Sequence, residues 1–255
     1  MKTAILAAAI LALATAAQAQ TVKVGIAAEP YPPFATPDAS GNWTGWEVEM
    51  IGAVCAAAEM TCEIVPVAWD GIIPSLTSGQ IDAIMASMSI TEERMQTIDF
   101  SDKYYNTPAL VVAAKGAGFT PDAAGLAGKI LGVQVSTTHE AYAQKHFAGS
   151  VAEIKVYQTQ DEANQDLIAG RIDATQADST AADAFLASEA GMACCESMGA
   201  VAADPEVLGK GVGVGLRKGD DALKAKFNAG IAKVIADGTY DKISAPYFAS
   251  SIYGG

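Results

Sequence analysis

The chain has 255 residues, a formal net charge of −13 at neutral pH and four cysteines. Its length corresponds to one or two domains. The acidic residues are scattered along the chain, and the binding of phosphate groups requires a basic face, so we expect no nucleic-acid partner. No nucleophile triad, zinc motif or pair of catalytic carboxylates is apparent, which favours binding over chemistry and predicts neither a metal nor a cofactor.

Residues 1–19 have the three parts of a secretory signal peptide. Lys2 supplies a positive charge, the run from Ala4 to Ala14 is apolar, and residues 17–19 read A-Q-A, a cleavage site. The apolar run is too short to span a bilayer. We therefore expect cleavage after Ala19 and an exported, soluble mature protein.

The four cysteines fall into two pairs. Cys55 and Cys62 lie at the expected end of a helix and the expected start of a strand, and in an oxidising compartment they are expected to form a disulfide. Cys194 and Cys195 are adjacent, which suits either a vicinal disulfide or two thiols on a surface turn.

The first part of the chain alternates strands and helices. A proline-rich loop interrupts it, in which Tyr31 is expected to stack on a ligand and Phe34 to pack in the core. Asp70 is expected to cap a helix. The expected elements are a strand at 22–27, a helix at 47–60, a strand at 62–67 and a helix at 72–78.

A second alternating series begins near Pro108, which predicts two lobes, each built on a parallel sheet. Thr137 to Glu140 reads as a capping box. The run from Gly211 to Leu216 reads as a strand with alternating glycines, and it is expected to be a flexible crossover back to the first lobe. The expected strands are 108–115, 129–135 and 151–157, and the expected helices are 141–147, 161–169, 183–189, 220–236 and 240–248.

One sequence motif occurs in both series, at 78–89 and at 169–180, and it is called here the repeated phrase. Each copy has a glycine that ends a helix, then a strand through Ile-Asp-Ala, then polar side chains just beyond the strand. In open α/β sheets this carboxyl edge is where ligands bind. The first copy leads to Ser87, Ser89 and Arg94, and the second to Asp178. Two facing half-sites of opposite charge would suit a zwitterion, although the phrase is also a common helix-to-strand turn.

Arg94 is expected in the first turn of a helix that Ser89 opens as part of a capping box with Glu92. A cation is unfavourable there because the helix amino terminus carries partial positive charge. This placement predicts a partner anion for Arg94, unless the side chain pairs with Glu92 or Glu93.

The chain resembles the polar amino-acid branch of the periplasmic solute-binding proteins that supply ABC transporters, notably the lysine/arginine/ornithine- and histidine-binding proteins of family 3. The resemblance covers essentially the whole mature chain. The segments that carry it are Y-P-P-F from Tyr31, D-G-I-I-P-S-L from Asp70, I-D-A-I-M-A-S-M-S-I-T-E-E-R from Ile81, H-E-A-Y from His139, A-G-R-I-D-A from Ala169, G-V-G-L-R-K from Gly213 and D-G-T-Y-D-K from Asp237.

The resemblance implies a type II periplasmic-binding-protein fold of the α/β class. Two lobes, each a mostly parallel sheet flanked by helices, would be joined by two crossover strands. The first lobe would hold residues 20–108 and 209–255, and the second would hold residues 109–208. The implied function is a monomeric, high-affinity periplasmic receptor that binds a free polar, and preferentially basic, L-amino acid and delivers it to the permease subunits of an ABC transporter.

The resemblance also implies roles for individual residues. Arg94 would bind the α-carboxylate, helped by Ser89 and Thr138, and Asp178 would take the α-ammonium with Ser87 nearby. The aromatic side chains that would sandwich the ligand side chain are Tyr31 and Trp69.

Several positions depart from the family pattern, and they leave the ligand open. Ala28 stands where members that bind basic ligands have an acid, and Glu29 follows one place later. Glu29 would meet a cationic side chain, whereas Gln134 would equally suit an amide, a carboxylate or an opine-like derivative. The other departures are Ala86 in place of a serine and His139 in place of a glutamine.

An enzyme on the same scaffold is the alternative, because periplasmic dehydratases of the arogenate/prephenate type also resemble this family. Such an enzyme needs a general acid that faces the ligand, and His139 and Glu140 are the candidates. A sensor domain of a membrane receptor is a third interpretation. We expect a binding protein rather than an enzyme.

Overall fold

The computed structural model describes residues 21–254, which form two lobes built on two five-stranded sheets. The expected signal peptide at 1–19 lies outside the described residues. Among the helices described, none is long and apolar enough to cross a membrane.

The strands are short and most of them lie close to the expected positions. In chain order they are β1 (Val22–Ala27), β2 (Thr36–Pro37), β3 (Trp43–Thr44), β4 (Cys62–Val67), β5 (Ala83–Ile84), β6 (Asp99–Tyr105), β7 (Ala109–Ala114), β8 (Ile130–Gln134), β9 (Glu153–Tyr157), β10 (Ala174–Asp178), β11 (Cys195–Ala200) and β12 (Val212–Leu216).

Helices cover the sheets. In chain order they are α1 (Trp46–Ala57), α2 (Ile72–Thr77), α3 (Glu92–Met95), α4 (Thr138–His146), α5 (Gln160–Ile168), α6 (Ser179–Ala187), α7 (Glu189–Cys194), α8 (Asp221–Ala236) and α9 (Thr239–Ser244), with a single 3-10 turn, Trp69–Gly71, before α2.

The two sheets have a similar topology. The first has the order β4-β1-β5-β12-β6 and the second the order β11-β7-β10-β8-β9. In each sheet four strands run in one direction and one strand runs against both of its neighbours, namely β12 in the first and β7 in the second. The expected mostly parallel sheets are therefore confirmed, and each antiparallel strand is the first to follow a crossover between the lobes.

Each lobe has its own core. In the first lobe, α1 packs against α8 and α9 around buried aromatic side chains, and the indole Nε1 of Trp46 donates a hydrogen bond to Ser244 Oγ at 2.9 Å. Phe34 belongs to this core, as expected. In the second lobe, Leu131, Val133 and Tyr142 belong to the main apolar cluster.

The glycine-rich run is a strand, as expected, but its interpretation as a flexible crossover is wrong. It forms β12, which is buried throughout and lies between β5 and β6. Its glycines leave room for neighbouring side chains, because a Cβ on Gly213 would lie 2.9 Å from Ile90 Cδ1, and one on Gly215 would lie 3.2 Å from Ile98 Cδ1.

Two of the three expected helix caps are wrong. Asp70 makes no capping bond, because the 3-10 turn leaves Gly71 at the start of α2. Thr91, and not Ser89, caps α3 by accepting a hydrogen bond from Arg94 N. Thr137 caps α4, as expected, by accepting from Glu140 N at 3.2 Å.

The expected disulfide is present. Cys55, near the end of α1, is bonded to Cys62 at the start of β4, so the bond ties this helix to an edge strand. Cys194 and Cys195 are bonded to each other at the junction of α7 and β11.

Cys62→Ala tests the contribution of the first disulfide. Breaking this bond frees a short loop in the unfolded chain, so we expect the free energy of unfolding to fall by about 2–3 kcal/mol. Urea denaturation of the variant and the wild type measures the difference. A loss below about 0.5 kcal/mol would contradict the loop-entropy argument.

Candidate ligand-binding site

A cavity that opens to solvent lies between the lobes, and its empty space, open solvent included, is about 680 Å³. It stands at or just beyond the carboxyl ends of β1, β4, β5, β8 and β10, which is the edge that the repeated phrase predicts. The structure brings all ten residues predicted from the sequence to this cavity: Glu29, Tyr31, Trp69, Ala86, Ser87, Ser89, Arg94, Gln134, Thr138 and Asp178.

Asp178 presents its carboxylate to the cavity at the end of β10. It occupies the position before α6 but makes no capping bond with its side chain. Its Oδ2 instead accepts a hydrogen bond from the hydroxyl of Tyr31, at 2.8 Å, and its Oδ1 lies 3.5 Å from Nε2 of His139. The carboxylate therefore faces the cavity and links the two lobes through Tyr31.

Arg94 lies on the opposite side of the cavity, in the first lobe. Its guanidinium donates to the carbonyl oxygens of Ser89 at 3.0 Å and Ser136 at 3.2 Å. Burial lowers the pKa of Arg94 to about 10, against the opposing effects of Glu93 and Asp178. The expected alternative, an ion pair with Glu92 or Glu93, is absent among the described residues.

Glu29 and Trp69 form one wall of the cavity. The carboxylate oxygens of Glu29 accept from the backbone N–H of Trp69 at 3.1 and 3.3 Å, so Glu29 lines the cavity despite its shifted place in the sequence. The indole Nε1 of Trp69 donates to Val135 O of the second lobe at 3.1 Å. The ring of Trp69 lies 5.6 Å from the guanidinium carbon of Arg94.

The second lobe adds polar groups at the start of α4. Thr138 is the first residue of this helix, where unpaired N–H groups favour an anion. Gln134 ends β8 and donates to Gln158 O at 3.1 Å, which holds its buried amide. Glu140, one of the two candidate acids, is absent from the cavity lining, and its Oε2 accepts from Ser136 N at 2.6 Å.

Sequence reasoning missed Glu47, which lines the cavity from the first turn of α1 and is 1% exposed. Its carboxylate accepts from Ser87 N at 2.8 Å, from Ser87 Oγ at 3.2 Å and from the hydroxyl of Tyr104. Burial raises the pKa of Glu47 to about 7. The W-E-V-E-M segment reads as an ordinary helix start, and only its contact with the distant Ser87 reveals its role.

The cavity has an excess of acidic groups. Three carboxylates line it, those of Glu29, Glu47 and Asp178, together with one guanidinium, that of Arg94, and the imidazole of His139. Within residues 21–254, no group of three or more His, Cys, Asp or Glu side chains is placed to hold a metal ion. The arrangement suits an organic ligand with one anionic group and more than one cationic group.

Residues 22–250 match the family model described as bacterial extracellular solute-binding proteins, family 3. The L-arginine-binding protein of Pseudomonas aeruginosa is 41% identical over 98% of this chain and 96% of its own length. The lysine/arginine/ornithine-binding periplasmic protein of Escherichia coli is 39% identical over the full length of both chains.

Two solved structures extend the comparison. An ancestral arginine-binding protein bound to arginine has a TM-score of 0.81 and 33% identity, over 90% of this chain and 98% of its own. An ancestral amino-acid-binding protein, described as a precursor of cyclohexadienyl dehydratase, has a TM-score of 0.77 and 31% identity, over 89% and 95%.

Glu47→Gln tests the buried carboxyl through the pH dependence of stability. The pKa of Glu47 is about 7 in the folded protein and lies near 4.5 in the unfolded chain, so the folded state binds more protons between these values. The stability linked to this group is therefore present below pH 4.5 and is lost as the pH rises through 7.

Between pH 5 and pH 8 we expect the free energy of unfolding of the wild type to fall by about 2–3 kcal/mol more than that of the variant. Urea denaturation at both pH values measures this difference. Glu49→Gln, on the exposed side of the same helix, is the matched control and should follow the wild type. Parallel pH profiles of Glu47→Gln and wild type would refute the raised pKa.

Proposed function

Because the chain belongs to the bacterial extracellular solute-binding proteins of family 3, we propose that it is a periplasmic receptor for a basic L-amino acid, with arginine as the foremost candidate. The receptor delivers its ligand to the permease subunits of an ABC transporter. The observation that carries this proposal is the placement of Arg94 and Asp178 on opposite lobes of one acidic cavity.

The charged ends of the ligand match these two groups. The α-carboxylate pairs with Arg94 and with polar groups of Ser89 and Thr138, the latter at the amino terminus of α4. The α-ammonium pairs with Asp178, in place of or beside the hydroxyl of Tyr31, with Ser87 close by. Closure around a zwitterion then pairs charges that come from both lobes.

The rest of the cavity supports a cationic side chain. Tyr31 and Trp69 supply aromatic faces, which attract cations. Glu29 supplies a carboxylate next to Trp69. A neutral or acidic side chain would leave the carboxylate of Glu29 without a counter-charge, so this wall favours arginine, lysine or ornithine.

Binding and release involve the lobes as units. We assign residues 20–108 and 209–255 to the first lobe and residues 109–208 to the second, so that each crossover acts as a hinge. The receptor acts as a monomer, without a cofactor and without a nucleic-acid partner. The names of its relatives, which include a periplasmic protein for lysine, arginine and ornithine, support the cellular location and the ligand class.

Mass spectrometry of small molecules released from freshly purified, denatured protein tests the ligand directly. We expect a basic amino acid, and the same compound should stabilise the protein in a thermal-shift screen of all common amino acids. At about 100 times its dissociation constant a ligand adds about 2.7 kcal/mol. Stabilisation by acidic or amide amino acids alone would refute the proposed ligand class.

Arg94→Ala tests the carboxylate site. Removing one partner of a buried charge pair costs about 2–5 kcal/mol of binding free energy, so the affinity for L-arginine should fall by at least tenfold. Isothermal titration calorimetry measures the affinity. Arg171→Ala, an exposed arginine of the second lobe that pairs with Asp166, is the control and should bind like the wild type. An unchanged affinity in Arg94→Ala would contradict its role.

Glu29→Gln tests the side-chain site. The variant loses a charged hydrogen-bond acceptor, which is worth about 1.5–3 kcal/mol, so L-arginine should bind at least tenfold more weakly. The affinity for L-glutamine should change much less, because its amide carries no charge. Calorimetry with both ligands checks the ratio. Equal losses for both ligands would show that Glu29 acts on the fold and not on the ligand side chain.

A dehydratase is the second candidate, and one specific observation favours it. A structural neighbour is described as a precursor of cyclohexadienyl dehydratase, and His139 lines the cavity beside Asp178 as a candidate acid. We nevertheless propose a non-enzymatic receptor, in line with the binding proteins among its relatives. Incubation with arogenate and prephenate separates the two functions, because formation of an aromatic product would overturn the receptor proposal.

A further inference from the structure

We propose that Glu47 is a positioning residue of the cavity, which holds Ser87 in its ligand-facing conformation and expels a proton when the ammonium group of a ligand arrives. This inference rests on the proposed function. It goes beyond it by coupling amino-acid binding to proton release.

Both oxygens of the Glu47 carboxylate accept hydrogen bonds from Ser87. Oε1 accepts from the backbone N–H of Ser87 and Oε2 accepts from its hydroxyl, although the two residues are 40 positions apart. Ser87 has a φ of +53°, in the left-handed region that a residue with a Cβ rarely adopts. Such a conformation costs free energy and persists only where surrounding contacts fix it. In this loop, two of those contacts come from Glu47.

Ser87 is part of the cavity wall, next to Ala86 and in the same loop as Ser89. A change of backbone conformation at Ser87 would therefore move the wall against which the backbone end of the ligand lies. Glu47 sits behind this wall and also contacts Tyr104, whose side chain is buried in the first lobe. The carboxylate thus connects the core of the first lobe to the geometry of the site.

Within residues 21–254, no cationic side chain forms an ion pair with Glu47. The titratable groups that act on it are Asp178 across the cavity and the phenols of Tyr104, Tyr105 and Tyr31. Helix α9, which packs against α1, contributes Tyr240 to the same core. The cavity also contains Arg94 and His139, which approach Asp178 from other elements.

A ligand ammonium paired with Asp178 brings a cation to this side of the cavity. With a pKa of about 7, the carboxyl of Glu47 is about half protonated at pH 7, and a nearby cation shifts it towards the ionised form. Binding at pH 7 then releases up to about half a proton. Because the free protein binds more protons than the complex, affinity rises with pH through this range and levels off above it.

Calorimetry with L-arginine at pH 7, in two buffers of different ionisation enthalpy, measures the number of protons released. We expect a net release from the wild type and none from Glu47→Gln, which keeps the size of the side chain but cannot ionise. His139→Gln is the matched control, since it removes an imidazole that lies next to Asp178 but keeps Glu47, and its proton release should persist.

A double-mutant cycle tests the positioning role. Glu47→Ala should weaken L-arginine binding by about tenfold or more, the value of a charged hydrogen bond. Glycine adopts the left-handed region without strain, so Ser87→Gly should make the loop less dependent on Glu47. We expect the effect of Glu47→Ala to be smaller when Ser87→Gly is also present, which is a non-additive pair.

Each result has one meaning. An equal proton count in the wild type and Glu47→Gln, or additive effects of Glu47→Ala and Ser87→Gly, would overturn the role of Glu47 while leaving the receptor function intact. A wild-type protein that binds no amino acid in the same calorimeter would overturn the proposed function itself. Proton release that Glu47→Gln abolishes, together with non-additivity, would support the inference.

Discussion

The opposition of Arg94 and Asp178 across the cavity is the interaction on which the rest of the site depends. One charge belongs to the first lobe and the other to the second, and both are partly shielded from water. Such charges are costly unless each has a partner. Under the proposed function a zwitterion would satisfy both at once, and because its partners lie on different lobes it would bind the closed arrangement better than the open one. Preference of this kind is what allows a ligand to shift a conformational equilibrium.

The lobes also contact each other directly around this pair. Trp69 donates to Val135 O and Arg94 donates to Ser136 O, so two side chains of the first lobe meet two consecutive carbonyl groups of the second. Tyr31 adds a third contact, to Asp178. These bonds are few and they surround the cavity, which is consistent with lobes that separate to admit and release a small ligand.

Much of this arrangement follows from the sequence because it depends on local signals. Gly79 and Gly170 both have positive φ values just after a helix, and the strands β5 and β10 follow them as the repeated phrase predicts. The carboxyl ends of β5 and β10, which belong to different sheets, then place Ser87 and Asp178 so that the polar residues there converge on one cavity. The family resemblance then assigned each polar residue to one group of the ligand, which local sequence patterns cannot do.

The features that sequence reasoning missed depend on contacts between distant residues. Glu47 looks like a solvated helix start, and only the fold brings it to Ser87. The sequence predicts that β12 is a strand but not that it is buried in the sheet. Its glycines leave room for side chains such as that of Ile90, which the sequence does not place beside them. Thr91 and not Ser89 caps α3, because the helix begins only at Glu92, while Ser89 lies in an isolated backbone bridge with Val212.

We propose that this acidic cavity selects a cationic amino acid. The most direct measurement is calorimetric titration of the wild type with L-arginine and with L-citrulline, which has nearly the same shape but a neutral side chain. The structure predicts that arginine binds at least tenfold more tightly, since a hydrogen bond to a charged group is worth about 1.5–3 kcal/mol. Equal affinities for the two compounds would contradict the claim.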